Sequence, residues 1–228
     1  MKYKIILFDV DDTLLEFGLS EKRALHNTFN QFGLESGLVD YEAKYKEISD
    51  VLWRDLEQDR ITLTELGIER FKRLFHTNKL EIDAHAFGGV YLNYLGKETH
   101  LMPGAVKLCE NLSSFRLAII TNGFTDVQNS RIKNSPFRDT FEHVIISEEV
   151  GFQKPHKGIF DHTFEKLQIT NKSKVLIVGD SLTSDIQGGN KYGIDTCWFN
   201  PNLKTNTTTI APTYEITHLM ELMEIVKI

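Results

Sequence analysis

Ten residues near the start of the chain, Lys4-Ile5-Ile6-Leu7-Phe8-Asp9-Val10-Asp11-Asp12-Thr13, constrain the fold more than any others. An apolar run without a polar break reads as a strand buried on both faces, which is the pattern of a parallel sheet covered by helices. The run stops at three carboxylates within four positions. Two like charges about 4 Å apart at an effective dielectric near 20 repel by roughly 4 kcal/mol. Asp9 and Asp11 at the end of a buried strand therefore need a cation or a shared proton beside them. The inert alternative is a polar turn in which Asp12 or Thr13 caps the next helix.

The rest of the chain shows what surrounds this turn. From Ser20 to about Lys97 no strand pattern occurs. Leu25, Thr28, Phe29 and Phe32 fall at helical spacing, as do Tyr41, Tyr45, Ile48 and Leu52. Thr62 and Glu65 form a capping box ahead of Ile68, Phe71, Leu74 and Phe75. Phe87, Val90, Tyr91, Tyr94 and Leu95 mark a fourth helix. Four amphipathic helices in succession predict a small bundle.

Beyond Pro103 helices and strands alternate. Buried strands are predicted at Arg116–Thr121, His143–Ser147, Val175–Asp180 and, last, Thr196–Phe199. Helices are predicted around Ala105 to Leu112, Thr125 to Lys133 and Ile159 to Leu167, with a terminal helix capped by Thr217. Lys204 to Thr213 reads as a surface loop. The expected fold is α/β, a doubly wound Rossmann-like parallel sheet with an inserted four-helix cap domain. The core would comprise residues 1–16 and 100–228, and the cap residues 17–99.

Bulk properties narrow the class of partner. A net charge of −6 gives no support for a nucleic acid as ligand, though a small phosphate ester remains compatible. No apolar run approaches the ~20 residues that span a bilayer. The chain enters a strand at once, without a signal peptide's basic start, so a cytoplasmic location is expected. Cys109 and Cys197 lie among apolar neighbours and read as reduced core residues.

In an open parallel sheet, ligands bind beyond the carboxyl ends of the strands. The first strand ends in Asp9 and Asp11, the second in Thr121-Asn122-Gly123, the fourth in Gly179-Asp180, with Asp185 just after it. Lys154 lies in the loop after the third. Asp9, Asp11 and Asp180 offer hard oxygen ligands suited to Mg²⁺. Thr121 and N–H groups at the next helix start can hold phosphate oxygens. Lys154 can neutralise charge on a transferring phosphoryl group, and Asp185 can orient Lys154 or metal water. Each residue alone also has an inert reading: a helix cap, a strand-end hydroxyl, a solvated lysine. Their occurrence together at successive strand ends favours the chemical one.

The Asp-x-Asp-x-Thr run at Asp9 to Thr13, followed by Thr121, Lys154 and Asp180/Asp185, resembles the four motifs of the haloacid dehalogenase superfamily, and the helical insert resembles that superfamily's cap. Ile120-Thr121-Asn122-Gly123-Phe124-Thr125, Ser147 to Pro155, Gly179-Asp180-Ser181 and Thr196-Cys197-Trp198-Phe199-Asn200 are similar to the bacterial pyrimidine 5′-nucleotidases within it. The resemblance implies a phosphatase for UMP, dUMP, dTMP and related nucleotides. Asp9 would be the nucleophile and Asp11 the general acid/base. Thr121, Asn122 and Lys154 would bind phosphate. Asp9, Asp11 (through its carbonyl) and Asp180 would hold Mg²⁺, or Mn²⁺ in its place, with Asp185 behind them.

Alternatives are a phosphatase for a small sugar phosphate or phosphoglycolate, a 2-haloacid dehalogenase and a phosphate-accepting signalling domain. A dehalogenase needs no acid at Asp11, and a signalling domain carries its acceptor on a middle strand. No cap motif identifies the leaving group; Phe17, Trp53 and Phe124 are candidates to stack on a base, with core packing as the alternative.

Overall fold

The computed structural model describes residues 2–34 and 38–227. Strand β1 (Ile5–Phe8) is followed by four helices, α1 (Phe17–Gln31), α2 (Leu38–Glu57), α3 (Leu63–Asn78) and α4 (Ala84–Leu95). Then come α5 (Ala105–Asn111), β2 (Arg116–Thr121), α6 (Thr125–Lys133), β3 (His143–Ile146) and the single turn α7 (Ser147–Val150). The chain continues through α8 (Lys157–Lys166), β4 (Val175–Gly179), α9 (Gln187–Tyr192), β5 (Asp195–Phe199), β6 (Tyr214–Ile216) and α10 (Leu222–Lys227).

The six strands form one sheet in the order β3-β2-β1-β4-β5-β6, and every adjacent pair is parallel. This is a doubly wound α/β sheet. β1 lies at its centre because its side chains are apolar on both faces. Ile6 and Phe8 enter a core with Leu108, Leu112, Leu219, Leu222 and Val226. Ile5 and Leu7 enter the opposite core with Ile159, Phe160 and Phe164 of α8. The period-2 alternation of a strand thus feeds two layers at once. The order reverses between β1 and β4, so the crevice beyond their carboxyl ends is where such a sheet receives a ligand.

The four consecutive helices share a separate, aromatic core, in which Phe29, Phe71, Phe75, Phe87 and Tyr91 are buried. Helix α3 starts on the predicted capping box: Thr62 Oγ1 accepts from the Glu65 N–H, and Glu65 accepts from the Thr62 N–H. Asp12 rather than Thr13 holds the start of α1, its Oδ1 accepting from the Phe17 N–H at 2.8 Å. Asp12 does so from a left-handed backbone conformation (φ 57°), which Asp tolerates better than most residues.

Two expectations are corrected. Thr196–Phe199 is not the last strand, because Tyr214–Ile216 pairs with β5 as an edge strand too short to announce itself by pattern. Thr217 does not cap the terminal helix. Its N–H and hydroxyl donate instead to the Glu221 side chain at 3.2 and 3.1 Å. Cys109 and Cys197 are buried free thiols, and burial pushes both up to about 12. No described helix is long and apolar enough to cross a membrane.

Candidate active site

Asp9 directly follows β1, and its backbone N–H donates to Val178 O on β4 at 2.9 Å. The side chain is therefore carried by the central strand, 7% exposed and away from bulk water. Lys154 reaches it from the loop between α7 and α8. The Lys154 Nζ donates to Asp9 Oδ1 at 2.6 Å, to Asp185 Oδ1 at 2.7 Å and to the Ile120 carbonyl at 2.7 Å. An ammonium has three donors, so Lys154 is saturated, which is the condition for burying it.

The loop that carries Lys154 is tied down by Asn122. Its side-chain amide donates to the Lys154 carbonyl at 2.9 Å and accepts from the Lys154 N–H at 2.8 Å. Asn122 thus fixes the lysine's backbone, a role beyond that of an N–H donor expected from the sequence.

Asp9, Asp180 and Asp185 can each place one carboxylate oxygen within 4.8 Å of the others. Burial pushes Asp9 up to about 7, with the Lys154 ammonium opposing the rise and the Asp185 and Asp11 charges adding to it. Burial also raises Asp180 well above the usual carboxylate range, reinforced by Asp9 and Asp185. For Lys154, burial acts downward, but Asp185 and Asp9 outweigh it and hold the ammonium above the ordinary lysine value. One lysine does not balance three acids, and hard oxygens at this separation suit a divalent cation. Asp185 uses both its oxygens, one on Lys154 and one accepting from the Ser181 N–H at 3.1 Å, and Asp9 accepts from Lys154 on Oδ1 and, at a long 3.4 Å, from the Thr13 hydroxyl on Oδ2, which leaves Asp180 as the freest donor.

The Asp11 carboxylate is not in this cluster. It is held by α6: Gln128 Nε2 donates to Oδ2 at 2.9 Å, and the Arg131 guanidinium donates to Oδ1. Gln128 Nε2 also donates to Thr121 Oγ1 at 2.9 Å, so one amide joins Thr121 at the end of β2 to Asp11. Arg131 is fully buried and donates from Nε to the Glu98 carbonyl at 3.1 Å, in the segment returning from α4. Two of the N–H groups near the start of α6 have protein partners: Gly123 N–H donates to Ser147 Oγ at 3.0 Å and Thr125 N–H to Glu148 at 2.7 Å.

Gln128 and Arg131 escaped the sequence reading, in which Thr125 to Lys133 is simply a polar helix. The available clue was their spacing: residues i and i+3 share a helix face, and here that face is the buried one. Glu57, at the end of α2, was also missed. It faces Thr183, Asp185 and Lys154, and burial raises its carboxyl above the usual value. Of the aromatics singled out, Phe17 and Phe124 lie where the four-helix core meets α6, whereas Trp53 packs with Leu52, Leu56 and Leu66.

A cleft of about 710 Å³ opens beside Asp180, lined among others by Asp12, Glu16, Lys46, Asn200 and Lys204. Gln153 bridges from the core to the helical block, its amide donating to the Leu56 carbonyl at 2.8 Å and to Asp59 at 2.6 Å.

Comparison with known proteins places this arrangement. The chain is 40% identical over 228 residues to the HAD-hydrolase YfnB of Bacillus subtilis, covering 100% of this chain and 97% of that one. A crystal structure of YfnB bound to magnesium superimposes with a TM-score of 0.94 at 39% identity, covering 100% of both chains. The pyrimidine 5′-nucleotidase PynA of Streptococcus pneumoniae is 37% identical, over 98% of this chain and 95% of its own. The pyrimidine 5′-nucleotidase YjjG of Escherichia coli is 33% identical, over 99% and 98%. The family model for haloacid dehalogenase-like hydrolases matches residues 3–193. The chain therefore belongs to the haloacid dehalogenase-like hydrolase family.

Proposed function

We propose that this protein is a Mg²⁺-dependent phosphatase of 5′-nucleoside monophosphates, acting on pyrimidine nucleotides such as UMP, dUMP and dTMP through an aspartyl-phosphate on Asp9. The observation that carries the reading is Asp9 itself: a buried carboxylate at the end of the central strand, gripped by Lys154 and crowded by Asp180. Pyrimidine 5′-nucleotidases among the full-length relatives support the substrate class. On this reading residues 1–16 and 100–228 form the catalytic core, and residues 17–99 form a cap that surrounds the leaving group.

Asp9 and Asp180, with the Asp11 carbonyl, would hold Mg²⁺, and Mn²⁺ offers the same hard-cation chemistry to these oxygens. When bound, the cation offsets the carboxylate charge and shields Asp9 from an arriving phosphate dianion. The protein's own residues perform the transfer. A carboxylate oxygen of Asp9 attacks phosphorus, the bond to the ester oxygen breaks, and Asp11, released from Gln128 and Arg131 and carrying a proton taken from solvent, passes that proton to the ester oxygen. Asp11, now ionised, takes a proton from water. The resulting hydroxide attacks phosphorus, and the Asp9 carboxylate leaves as free phosphate forms.

The Thr121 hydroxyl and the Asn122 N–H would donate to the equatorial oxygens, and Lys154, its own donors spent, would stabilise them through its charge. Asp185 keeps Lys154 aimed, and Gln128 with Arg131 holds the Asp11 carboxylate until it turns toward the leaving group. The buried setting excludes water that would otherwise weaken each of these contacts.

The test is phosphate release with Mg²⁺ from a panel of mononucleotides, sugar phosphates and p-nitrophenyl phosphate. Preference for pyrimidine 5′-nucleotides is expected. Equal rates on sugar phosphates defeat the substrate class, and activity untouched by EDTA defeats the metal-dependent mechanism.

A further inference from the structure

Two buried side-chain nitrogens lack a hydrogen-bond partner among the described residues, and both belong to arginines: Arg70 Nη2 and Arg131 Nη2. Arg131 spends its other donors on Asp11, Gln128 and Glu98. Arg70 is different in kind. It is carried by α3 in the helical block, is 2% exposed, and has no carboxylate within 4.0 Å among the described residues. Its Nε donates to the Gly67 carbonyl at 3.4 Å, and one Nη donates to the Tyr45 hydroxyl at 3.2 Å. Glu21, the nearby acid, is engaged by hydroxyls, accepting from Tyr45 at 3.1 Å and Tyr91 at 3.4 Å. Glu21 and the two tyrosine hydroxyls offset the charge of the buried guanidinium, but its Nη2 still has no acceptor, and a buried N–H left without one is costly. An orphaned buried donor of this kind calls for an acceptor.

The surroundings indicate where that acceptor comes from. The Arg70 guanidinium carbon lies 5.7 Å from the centroid of the Phe124 ring and 4.7 Å from that of Tyr91. One turn earlier on the same face of α3, a Cβ added at Gly67 would lie 3.0 Å from the Phe124 ring, so the helix and that ring are in contact. Phe124 follows Thr121-Asn122-Gly123, the turn that ends β2 at the site. Arg70 is therefore a buried cation of the helical block set beside the ring of Phe124, the residue that follows that turn.

We propose that Arg70 is a specificity-determining residue, its free N–H donating to a carbonyl oxygen of the leaving group, with Phe124 as the adjoining apolar wall. This deepens the nucleotidase reading and rests on it: the carbonyl is that of a pyrimidine ring. Guanidinium offers donors only, so it favours uracil, thymine or the cytosine carbonyl over the donor amino edge of adenine. Tyr45 acts through Arg70, as the hydroxyl that orients the guanidinium.

The experiment compares kcat/KM for UMP and for p-nitrophenyl phosphate, which has no base, in the full-length Mg²⁺-loaded wild type, Arg70→Lys and Tyr45→Phe. A hydrogen bond to a charged group predicts that Arg70→Lys lowers the UMP to p-nitrophenyl phosphate ratio about tenfold to a hundredfold, chiefly through the KM for UMP. Tyr45→Phe conserves shape, retains the core if Arg70→Lys does not fold, and is expected to lower the ratio by a smaller factor. An unchanged ratio in the variants, with both activities falling together, overturns the proposal and leaves Arg70 a packing residue. A wild type that shows no preference for UMP over sugar phosphates overturns the nucleotidase reading and this proposal with it.

Discussion

Replacing Lys154 by Met tests the electrostatic centre of the site directly. The two ion contacts, at 2.6 and 2.7 Å, each represent about 6 kcal/mol of gross attraction at an effective dielectric near 20. Desolvating the ions offsets much of that, and removing one partner of a buried pair costs about 3–5 kcal/mol. Against a total stability of about 5–15 kcal/mol, the variant should fold but be marginal. In a chain of this size that corresponds to a melting temperature lower by about 6–20 °C.

The deficit must also depend on pH, with a definite sign. Asp9, already pushed up to about 7 by burial, loses the cation that opposed the rise and moves higher. A carboxyl whose folded value lies above its unfolded value of about 3.9 loses stability as pH rises from the unfolded value through the folded one. In the variant that loss extends to higher pH, by about 1.4 kcal/mol for each further pKa unit. Lys154 itself is raised above the ordinary value of 10.5, so its own contribution is complete below that value and constant over the window. Urea denaturation in EDTA at about pH 5.5 and about pH 8.5 measures both effects. A larger deficit at the higher pH is expected. A deficit equal at both, or below about 1 kcal/mol, refutes the reasoning.

Asp9→Asn should reduce turnover at least about a thousandfold while the protein still melts cooperatively, as read by phosphate release and circular dichroism. Mg²⁺ at about one hundred times its Kd should stabilise the wild type by about 2.7 kcal/mol, or about 5–11 °C. Asp180→Asn should lose most of that shift in a thermal melt. Gly179→Ala would put a Cβ 2.2 Å from the Asp185 carboxyl, driving it off Lys154. It should cost about 1–3 kcal/mol or more, and lower kcat; a fully active, equally stable Gly179→Ala protein would show that Asp185 does not hold Lys154 in place.

Much was legible in the chain because it was encoded locally. The unbroken Ile5–Phe8 run demanded a sheet covered on both faces, and Thr62/Glu65 wrote the start of α3 in two side chains. The acids at the strand ends could be placed together without coordinates, since the carboxyl ends of parallel strands share one edge. β6 was not legible, because three residues at a sheet edge carry too little pattern. Nor was Thr217, whose hydroxyl found a side chain where a helix end was expected.

What only the tertiary structure decided is the partner each charged group has. Asp11 reads in sequence as a neighbour of Asp9, yet its carboxylate is held by Gln128 and Arg131 more than a hundred residues away. Lys154 reads as a loop lysine and is instead saturated and buried. Arg70 drew no notice in the sequence and proves to be buried beside Tyr91 and Phe124. Periodicity reports which face of an element is turned inward, because that depends on neighbours three or four residues away. Pairing and desolvation depend on groups that folding alone brings together, so the chain determined the scaffold and its acids, and packing decided what each of them holds.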